Sequence, residues 1–288
     1  MDFWFSYITL AEIYVLLGLS TNLLVGIVGI FSVSQAAVFG VGAYIVAHFL
    51  LAAEPMSFLP ALGIAAVCCV LLNVLVTLPA LRVSGDYFVV TSFGIQLLAT
   101  AVFTNWTAGT GGANGLPGIP PPDLFNHPLE STGELTLLCT AGAALGCLAF
   151  YLIMRAPFGR LLRAIREDES AVAAAGKNVL RAKVSAAALA GAFAGVAGGL
   201  YATFLSFIDP SSFDLDASIL LLTMVVVGGA RTLAGSIIGP FLLLALPQVL
   251  TLLDIPTTIA ASMRQLLYGL LLILFMMFRP QGLAGEKL

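Results

Sequence analysis

The sequence predicts an all-α polytopic membrane protein with about eight to ten transmembrane helices, and two observations support this class. Hydrophobic residues make up 60% of the 288 residues and charged residues only 9%, whereas about a quarter of the residues in soluble domains are charged. The apolar residues also fall into runs of roughly 20, the length of a helix that crosses a bilayer. Because the connections are short, residues 1–288 are expected to form a single transmembrane domain.

The N-terminal half is predicted to contain five apolar segments. The first, about residues 6–24, lacks a basic start and a cleavage motif, so it is expected to be retained as a span. The second, from Gly26 to Leu50, is interrupted by Ser32, Ser34 and Gln35. This interruption fits either a turn between two spans or a broken helix whose polar side chains line a passage. The other three segments cover about residues 58–78, 86–103 and 135–154.

The stretch from about residue 105 to 134 is predicted to be a loop on the outer face of the membrane. Five Gly and four Pro lie between Gly109 and Pro122, a density that is typical of turns and loops. The stretch contains no Lys or Arg. Since basic loops stay in the cytoplasm, a loop without basic residues is assigned to the other side.

The stretch from about residue 155 to 183 is predicted to be a cytoplasmic loop. It holds seven of the twelve Lys and Arg residues, between two apolar segments. Leu161, Leu162 and Ile165 fall on one side of a helix, and charged residues cover much of the remainder. The loop is therefore either a solvated connection that only sets orientation, or a surface helix that contacts a soluble partner.

Four more apolar segments follow, at about residues 184–207, 219–227, 233–253 and 263–278. The first carries Gly191, Gly195 and Gly199 at four-residue spacing, which predicts close helix packing. Arg82, Arg231, Arg279 and Lys287 then fall on the same, cytoplasmic side as the loop. Nine spans with a cytoplasmic C-terminus satisfy this arrangement. Eight or ten are equally possible if Gly26–Leu50 is re-entrant or the first segment is split differently.

The residue types exclude several kinds of chemistry. No Walker A motif is present, because Gly176-Lys177-Asn178 lacks the leading Gly and the Ser or Thr. The chain is therefore expected to be a non-enzymatic transport protein without a cofactor of its own. A carrier driven by protons or sodium would be expected to hold acids in its spans, where Glu12 is the one candidate. The predicted translocation path consists of the few polar span residues, which are Asn22, Ser32, Gln35, Thr91 and Gln96.

Several stretches together resemble one family. They are NLLVGIVGIFSVSQAAVFGVGAY from Asn22, TGGANGLPGIP from Thr110, FGRLLRAIREDESAVAAAGKNVLRAK from Phe158, AGAFAGVAGGLY from Ala190 and RPQGL from Arg279. Their order and spacing, from about residue 20 to 284, are similar to those of the membrane permease of branched-chain amino acid ABC importers. Within that family the chain is closer to the longer of the two permease types.

The resemblance implies a fold similar to the vitamin B12 and ribose importer permeases and a place in the bacterial inner membrane. The partners it implies are a second permease, two cytoplasmic ATPases that bind ATP and Mg, and an outer solute-binding protein. It also implies that the basic loop docks on the ATPase, with Phe158, Leu162 and Ile165 in the ATPase groove and charged residues at its rim. The predicted coupling residues are Phe158, Gly159, Arg160, Leu162, Arg163, Ile165, Arg166, Glu167, Asp168, Glu169 and Gly176.

Two alternatives stay open at this point. Similar ABC permeases carry urea, short amides or other amino acids, and the polar span residues encode no recognisable amino-acid site. A channel or secondary carrier for a small neutral solute is the alternative from another class, and it would require no partner ATPase. One departure from the wider importer motif is that Glu169 and Gly176 are seven residues apart instead of six.

Overall fold

The computed structural model describes residues 2–52, 54, 56–80, 86–124, 127–129, 131–252, 257–279 and 281–285, and it confirms the all-α class. Arg82 and Lys287, which bear on the predicted orientation, lie outside these residues. Helix α1 continues into a π-helical segment at Asn22–Val28, named the π segment below. The helices are α1 (Asp2–Thr21), α2 (Gln35–Leu50), α3 (Phe58–Ala80), α4 (Asp86–Asn105), α5 (Thr107–Thr110), α6 (Thr132–Arg155), α7 (Pro157–Glu167), α8 (Glu169–Ala174), α9 (Val179–Leu205), α10 (Leu215–Gly228), α11 (Leu233–Leu252) and α12 (Thr257–Phe278).

Nine apolar helices in the described residues follow the nine predicted segments in order. Five are long and apolar enough to cross a membrane, at Trp4–Val28, Phe58–Leu78, Tyr87–Asn105, Thr132–Arg155 and Val179–Leu205. Four shorter apolar helices lie at Gln35–Leu50, Leu215–Gly228, Leu233–Pro247 and Gln265–Phe275. The interrupted second segment therefore resolves into a break at residues 29–34 followed by the short helix α2.

Helix α1 lies at the centre of the bundle. It contacts α6, α9, α10 and α11. In each long helix we compared an apolar window of 18 residues. In the window of α1 and the π segment 94% of the residues are buried, compared with at most 61% in the other four long helices. The other long helices expose large apolar side chains, as membrane-facing helices do. The chain is thus built around α1.

Close packing of α9 on α3 depends on glycines that the sequence singled out. A Cβ added to Gly191 would lie 2.5 Å from the carbonyl oxygen of Cys69, and one added to Gly195 would lie 3.0 Å from that of Ala65. Gly199 meets the side chain of Leu62, 2.5 Å from an added Cβ. The three glycines therefore let two backbones approach to a distance that larger residues would prevent.

The loop at residues 105–134 folds onto the ends of α9 and α3. Strand β1 (Leu116–Pro117) pairs antiparallel with β4 (Phe207–Ile208), and β2 (Asp123–Leu124) pairs with β3 (His127–Pro128). The backbone N–H of Phe58 donates to Asp123 Oδ1 at 2.6 Å. This bond satisfies one of the free donors at the start of α3. The predicted loop is therefore held against the bundle along its described residues.

We expect Gly191→Ala to lower the free energy of unfolding by about 1–3 kcal/mol, because the added methyl group has to push α9 away from the α3 backbone. Gly63→Ala on α3 is the matched control, since no atom lies within 4 Å of a Cβ added there. Thermal unfolding of the purified proteins in one detergent measures both. Equal unfolding midpoints for the two variants would contradict the packing account.

Candidate functional site

Helices α7 and α8, the turn at residues 229–232 and the tail at residues 281–285 lie at one end of the bundle, named the basic side. The opposite end, which carries strands β1 to β4, is named the loop side. The basic side holds Arg155, the basic residues that follow it up to Lys183, Arg231 and Arg279. The predicted coupling residues all belong to this side.

A sharp elbow joins α6 to α7. Helix α6 ends at Arg155, Ala156 is extended with φ of −65° and ψ of 160°, and Pro157 occupies the first turn of α7. Proline is suited to this position because its missing N–H would have no partner in the first turn. Gly159 is buried in the elbow, where an added Cβ would lie 2.5 Å from the carbonyl oxygen of Ile153. The elbow therefore fixes the direction of α7 relative to α6.

The apolar face of α7 packs against its own chain. Leu162 and Ile165 are only 0% and 3% exposed, and Phe158 is half-buried against the same core. The prediction that these residues fill a groove of the ATPase is wrong for Leu162 and Ile165, because their side chains are already buried within the chain. The residues that α7 exposes are Pro157 and the charged Arg160, Arg163 and Glu167.

Helix α8 projects from the bundle as a short knob with a stabilised end on each side. Asp168 accepts hydrogen bonds from the N–H groups of Ser170 and Ala171 at 2.9 and 3.0 Å, and these bonds with the Ser170 hydroxyl lower the pKa of its carboxyl. Gly176 ends the knob with φ of 77°, a conformation that glycine adopts without strain. None of the six residues of α8 is buried. The α8 knob, residues 168–178, is therefore ordered but has one side free.

An ion pair joins the knob to α9. Lys183 Nζ lies 2.6 Å from Glu169 Oε2, and the Glu169 side chain is 56% exposed. An exposed ion pair contributes about 0.2–1 kcal/mol, so its effect is to orient the knob rather than to stabilise the fold. Glu169, predicted to pair with a partner protein, thus has a partner within the chain.

Asn22 attaches the π segment to the turn at residues 229–232. Its Oδ1 accepts from the N–H of Arg231 at 2.9 Å, and its Nδ2 donates to the carbonyl oxygen of Thr232 at 2.9 Å and to Ser236 Oγ at 2.7 Å. Asn22 is fully buried. A Cβ on Gly26 would lie 1.8 Å from Asn22 Oδ1, so Gly26 provides the space that this side chain needs. The π-helical geometry is unusual and often accompanies functional sites.

The tail pairs with the same turn. The N–H groups of Leu283 and Ala284 donate to the carbonyl oxygens of Val227 and Gly228 at 2.9 and 3.0 Å. Thr232 Oγ1 donates back to the carbonyl oxygen of Ala284 at 2.8 Å. The tail therefore joins the end of α12 to the connection between α10 and α11.

Helix α7 contacts the π segment through Arg166. The side chain lies on Gly29, where an added Cβ would be 2.9 Å from Arg166 Cγ. Gly29 ends the π segment with φ of 81°. Helix α7, the π segment, the turn at residues 229–232 and the tail thus form one continuous set of contacts, named the inner assembly below.

A second polar centre lies inside the bundle, where α2 and α10 begin. Gln96 of α4 is fully buried. Its Oε1 accepts from the N–H of Ala37 at 3.0 Å and from Ser218 Oγ at 3.1 Å, and its Nε2 donates to the carbonyl oxygen of Phe213 at 2.8 Å. Ala37 lies in the first turn of α2 and Ser218 in the first turn of α10. One amide therefore connects the starts of two short helices, which is an arrangement typical of transporters with broken helices.

The other predicted path residues are also engaged in hydrogen bonds. Ser20 Oγ lies 3.1 Å from Gln35 Oε1 and donates to the carbonyl oxygen of Ala190 at 2.7 Å. Ser32 and Ser34 share a bond of 3.0 Å. Thr91 is half-exposed and donates to the carbonyl oxygen of Tyr87. In this conformation Gln35 connects α2 to α1 and Ser32 bonds within the break, and their role in a path stays a prediction.

Sequence reasoning missed the segment before α10. Phe213 is fully buried, and its ring lies 5.1 to 6.2 Å from four other aromatic rings, those of Phe39, Tyr44, Phe103 and Tyr201. These contacts place the Phe213 carbonyl at Gln96. The signal in the sequence was a phenylalanine among polar residues between two predicted spans, which gives no indication of a buried aromatic cluster.

Two further groups bear on the chemistry. Glu12 lies inside the apolar stretch Trp4–Val28, and the Thr140 hydroxyl donates to its Oε1 at 2.7 Å. Among the described residues, no group of three or more His, Cys, Asp or Glu side chains could hold a metal ion. Cys68, Cys69, Cys139 and Cys147 are unpaired and at least half-buried.

Comparison with known proteins gives one consistent result. The profile of the family described as "Branched-chain amino acid transport system / permease component" matches residues 3–276. The chain is 30% identical to the high-affinity branched-chain amino acid transport system permease LivM of Escherichia coli K12, over 96% of this chain and 68% of that protein.

Two other relatives extend this result. A probable branched-chain amino acid permease LivM of Methanocaldococcus jannaschii is 28% identical, over 73% of this chain and 63% of that protein. The ribose import permease RbsC of Haemophilus influenzae is 31% identical over 49% of this chain and 44% of that protein. No solved structure matches the chain.

We expect Gln96→Leu to lower the free energy of unfolding by about 1–3 kcal/mol, because it leaves the buried Ala37 N–H and Phe213 carbonyl without partners. Thr104→Val is the control on the same helix, since Thr104 is exposed and bonds only within α4. Thermal unfolding in detergent measures both variants, and we expect the stability of Thr104→Val to lie within about 0.5 kcal/mol of wild type. A Gln96→Leu protein as stable as wild type would rule out the amide as the connection between α2 and α10.

Proposed function

The chain belongs to the family of permease components of branched-chain amino acid transport systems, and from this premise we propose that it is the transmembrane subunit of an ATP-driven importer of branched-chain amino acids. The observation that carries the proposal is the α8 knob on the basic side. It is stabilised at both ends by Asp168 and Gly176, yet buries none of its residues. An ordered helix with a free side is suited to contact a protein partner.

The proposed assembly contains four kinds of subunit. This chain pairs with a second permease, two cytoplasmic ATPases bind ATP and Mg, and an outer solute-binding protein delivers the substrate. Methanocaldococcus jannaschii relatives named as both LivM and LivH permeases match the chain, which supports a pair of different permeases. Residues 1–288 serve as one transmembrane domain in this assembly, with no cofactor and no ATPase site of their own.

The proposed orientation places the basic side in the cytoplasm. The seven basic residues between Arg155 and Lys183, with Arg231 and Arg279, lie on this side, and basic residues are retained in the cytoplasm. The C-terminus is then cytoplasmic and the loop side faces the binding protein. The multi-pass protein lies in the bacterial inner membrane.

The proposed mechanism is alternating access driven by the ATPase. Nucleotide binding displaces the α8 knob, and the elbow at Gly159 and the Lys183–Glu169 pair transmit the displacement to α6, α7 and α9. Helix α7 acts on the inner assembly, which holds the ends of α1, α10 and α12. Because α10 also starts at Gln96, its displacement changes the junction with α2 and opens the path to one side of the membrane at a time.

The predicted path residues are kept in this proposal. Asn22, Gln35 and Gln96 now connect different helices, whereas Ser32 and Thr91 bond within their own segments. All five become accessible to substrate when α2 and α10 separate. The coupling residues of α7 and the α8 knob are likewise retained, with Leu162 and Ile165 fixing α7 to the chain rather than contacting the ATPase. Urea, short amides or other amino acids stay alternative cargoes of the same importer.

The proposal is tested by uptake in inverted and right-side-out vesicles that contain the purified complex. We expect leucine, isoleucine or valine uptake to require ATP on the side of the basic loop and to persist without a proton or sodium gradient. Urea and acetamide serve as alternative cargoes. Uptake that proceeds without ATP would overturn the proposal.

Glu12 supplies the one observation that favours a second candidate, an ion-coupled carrier, because a carboxyl group inside a span can bind a proton or cation. Glu12→Gln removes the charge and keeps a group that can bond to Thr140. We expect this variant to retain ATP-dependent uptake within about twofold, because an ATP-driven importer does not need an ion bound to Glu12. A twofold change corresponds to less than about 0.5 kcal/mol. Loss of uptake in Glu12→Gln, with the complex intact, would favour the carrier.

We expect Gly176→Val to reduce uptake about five- to thirtyfold, because a left-handed conformation costs about 1–2 kcal/mol for such a residue. Space is not the cause, since no atom lies within 4 Å of a Cβ added to Gly176. Gly176→Asn is the control, because Asn accepts this conformation more readily. We expect the Val variant to keep its ATPase activity while its uptake falls, and the Asn variant to keep both activities. Equal uptake in the two variants would show that coupling does not depend on the conformation of residue 176.

A further inference from the structure

Two arginines from different elements meet at the basic-side end of α1. Arg166 belongs to α7, and its stem lies on Gly29 at the end of the π segment. Arg231 belongs to the turn between α10 and α11, and its N–H is bonded to Asn22 and lies 2.9 Å from a Cβ placed on Gly26. Gly26 and Gly29 are three residues apart, which is less than one helical turn. The two arginines therefore contact neighbouring positions of the π segment.

Neither charge is paired within the part of the chain that the structure describes. The ion pair found there joins Lys183 to Glu169, and Nη1 of Arg166 is buried without a hydrogen-bond partner. Burial and the charge of Arg231 both lower the pKa of Arg166. Placing two cations together therefore has an energetic cost that an anion between them would remove.

The backbone of Arg231 is held at a further cost. Its φ of 76° is in the left-handed region, which residues other than glycine adopt with strain. The bond from its N–H to Asn22 maintains this conformation. Buried side-chain atoms of Glu12, Thr21, Gln35 and Tyr44 also lack a partner, and among such atoms in the described residues that of Arg166 alone belongs to a cation. The facing charges and the strained backbone are two costs at one point, and together they indicate a site that is completed by a ligand.

The position of the pair indicates where that ligand comes from. Residues 22–28, at this end of α1, are all buried and contact α7 and α9, so the pair lies against the end of the bundle on the basic side. The α8 knob, which belongs to the same side, projects away from the bundle. A soluble protein that contacts the knob approaches the arginine pair from the same direction.

Building on the proposed function, we propose that Arg166 and Arg231 together bind one carboxylate side chain of the cytoplasmic ATPase. A carboxylate matches the planar donor fork of a guanidinium group and forms charge-assisted hydrogen bonds with it. The ATPase then contacts the turn between α10 and α11 as well as the knob.

The test uses the tagged complex purified from its native membranes, with the amount of retained ATPase measured as the salt concentration rises. Arg166→Gln and Arg231→Gln are each expected to weaken ATPase retention about tenfold or more, as removal of one partner of a desolvated charge pair does. The double variant is expected to be little weaker than either single variant, because both arginines hold the same carboxylate. Arg181→Gln, an exposed cation in the first turn of α9 on the same side, is the control and is expected to change retention less than about twofold.

Three results would overturn the inference. One is unchanged retention in both Arg166→Gln and Arg231→Gln while the wild type keeps its ATPase, which leaves the proposed function intact. Another is an equal loss in Arg181→Gln, which indicates a general effect of charge. The third is the same loss in Glu286→Gln. This acid lies outside the described residues, two positions after Ala284, and such a loss would identify it as the counter-ion of the two arginines. A wild-type complex without any ATPase contradicts the proposed function itself.

Arg166→Lys and Arg231→Lys replace any Gln variant that fails to fold. They keep the charge and the apolar stem but lose the planar fork, so the same weakening of retention is expected. Retention equal to wild type in both Lys variants would show that charge alone is sufficient and would overturn the assignment of a shared carboxylate.

Discussion

Two buried side-chain amides hold the structure together at the places where its membrane helices are interrupted. A bilayer supplies no water for unpaired backbone groups, so each interruption has to be satisfied by the protein. Gln96 does this for the starts of α2 and α10. Asn22 does it for the turn between α10 and α11, and Gly26 leaves the space for its side chain. Every other feature of the proposed transport mechanism depends on these two connections.

The two connections act on the same helix from opposite ends. Gln96 is bonded at the start of α10 and Asn22 at the turn that follows its last residue, while the tail adds hydrogen bonds to Val227 and Gly228. Helix α10 therefore cannot move without changing the inner assembly or the junction with α2. In the proposed mechanism, a displacement of α7 moves the π segment, and the hydrogen bonds of Asn22 and Gln96 transmit this movement to α10 and α2.

The sequence predicted the elements well and their contacts less well. Runs of about 20 apolar residues identify membrane helices because hydrocarbon thickness sets the length, and the distribution of Lys and Arg identifies the basic side. Isolated polar residues in apolar runs singled out Asn22 and Gln96, but their partners lie 210 and 117 residues away. Such pairs are set by tertiary packing. The inward direction of Leu162 and Ile165 was missed for the same reason, since an amphipathic helix can turn its apolar face to its own chain or to a partner.

The central claim is that the α8 knob and the turn at residues 229–232 move as one body. They are connected through α7, the π segment and the hydrogen bonds of Asn22. Spin labels at Ala173→Cys and Ala230→Cys, in a protein whose four native cysteines are replaced, measure their separation, and a label at Ala113→Cys on the loop side provides the reference. The account predicts that trapping the complex with ATP leaves the Ala173–Ala230 distance unchanged while the Ala230–Ala113 distance changes, and that Asn22→Ala removes this pattern. A changed Ala173–Ala230 distance in the wild-type complex, with the other distance constant, would contradict it.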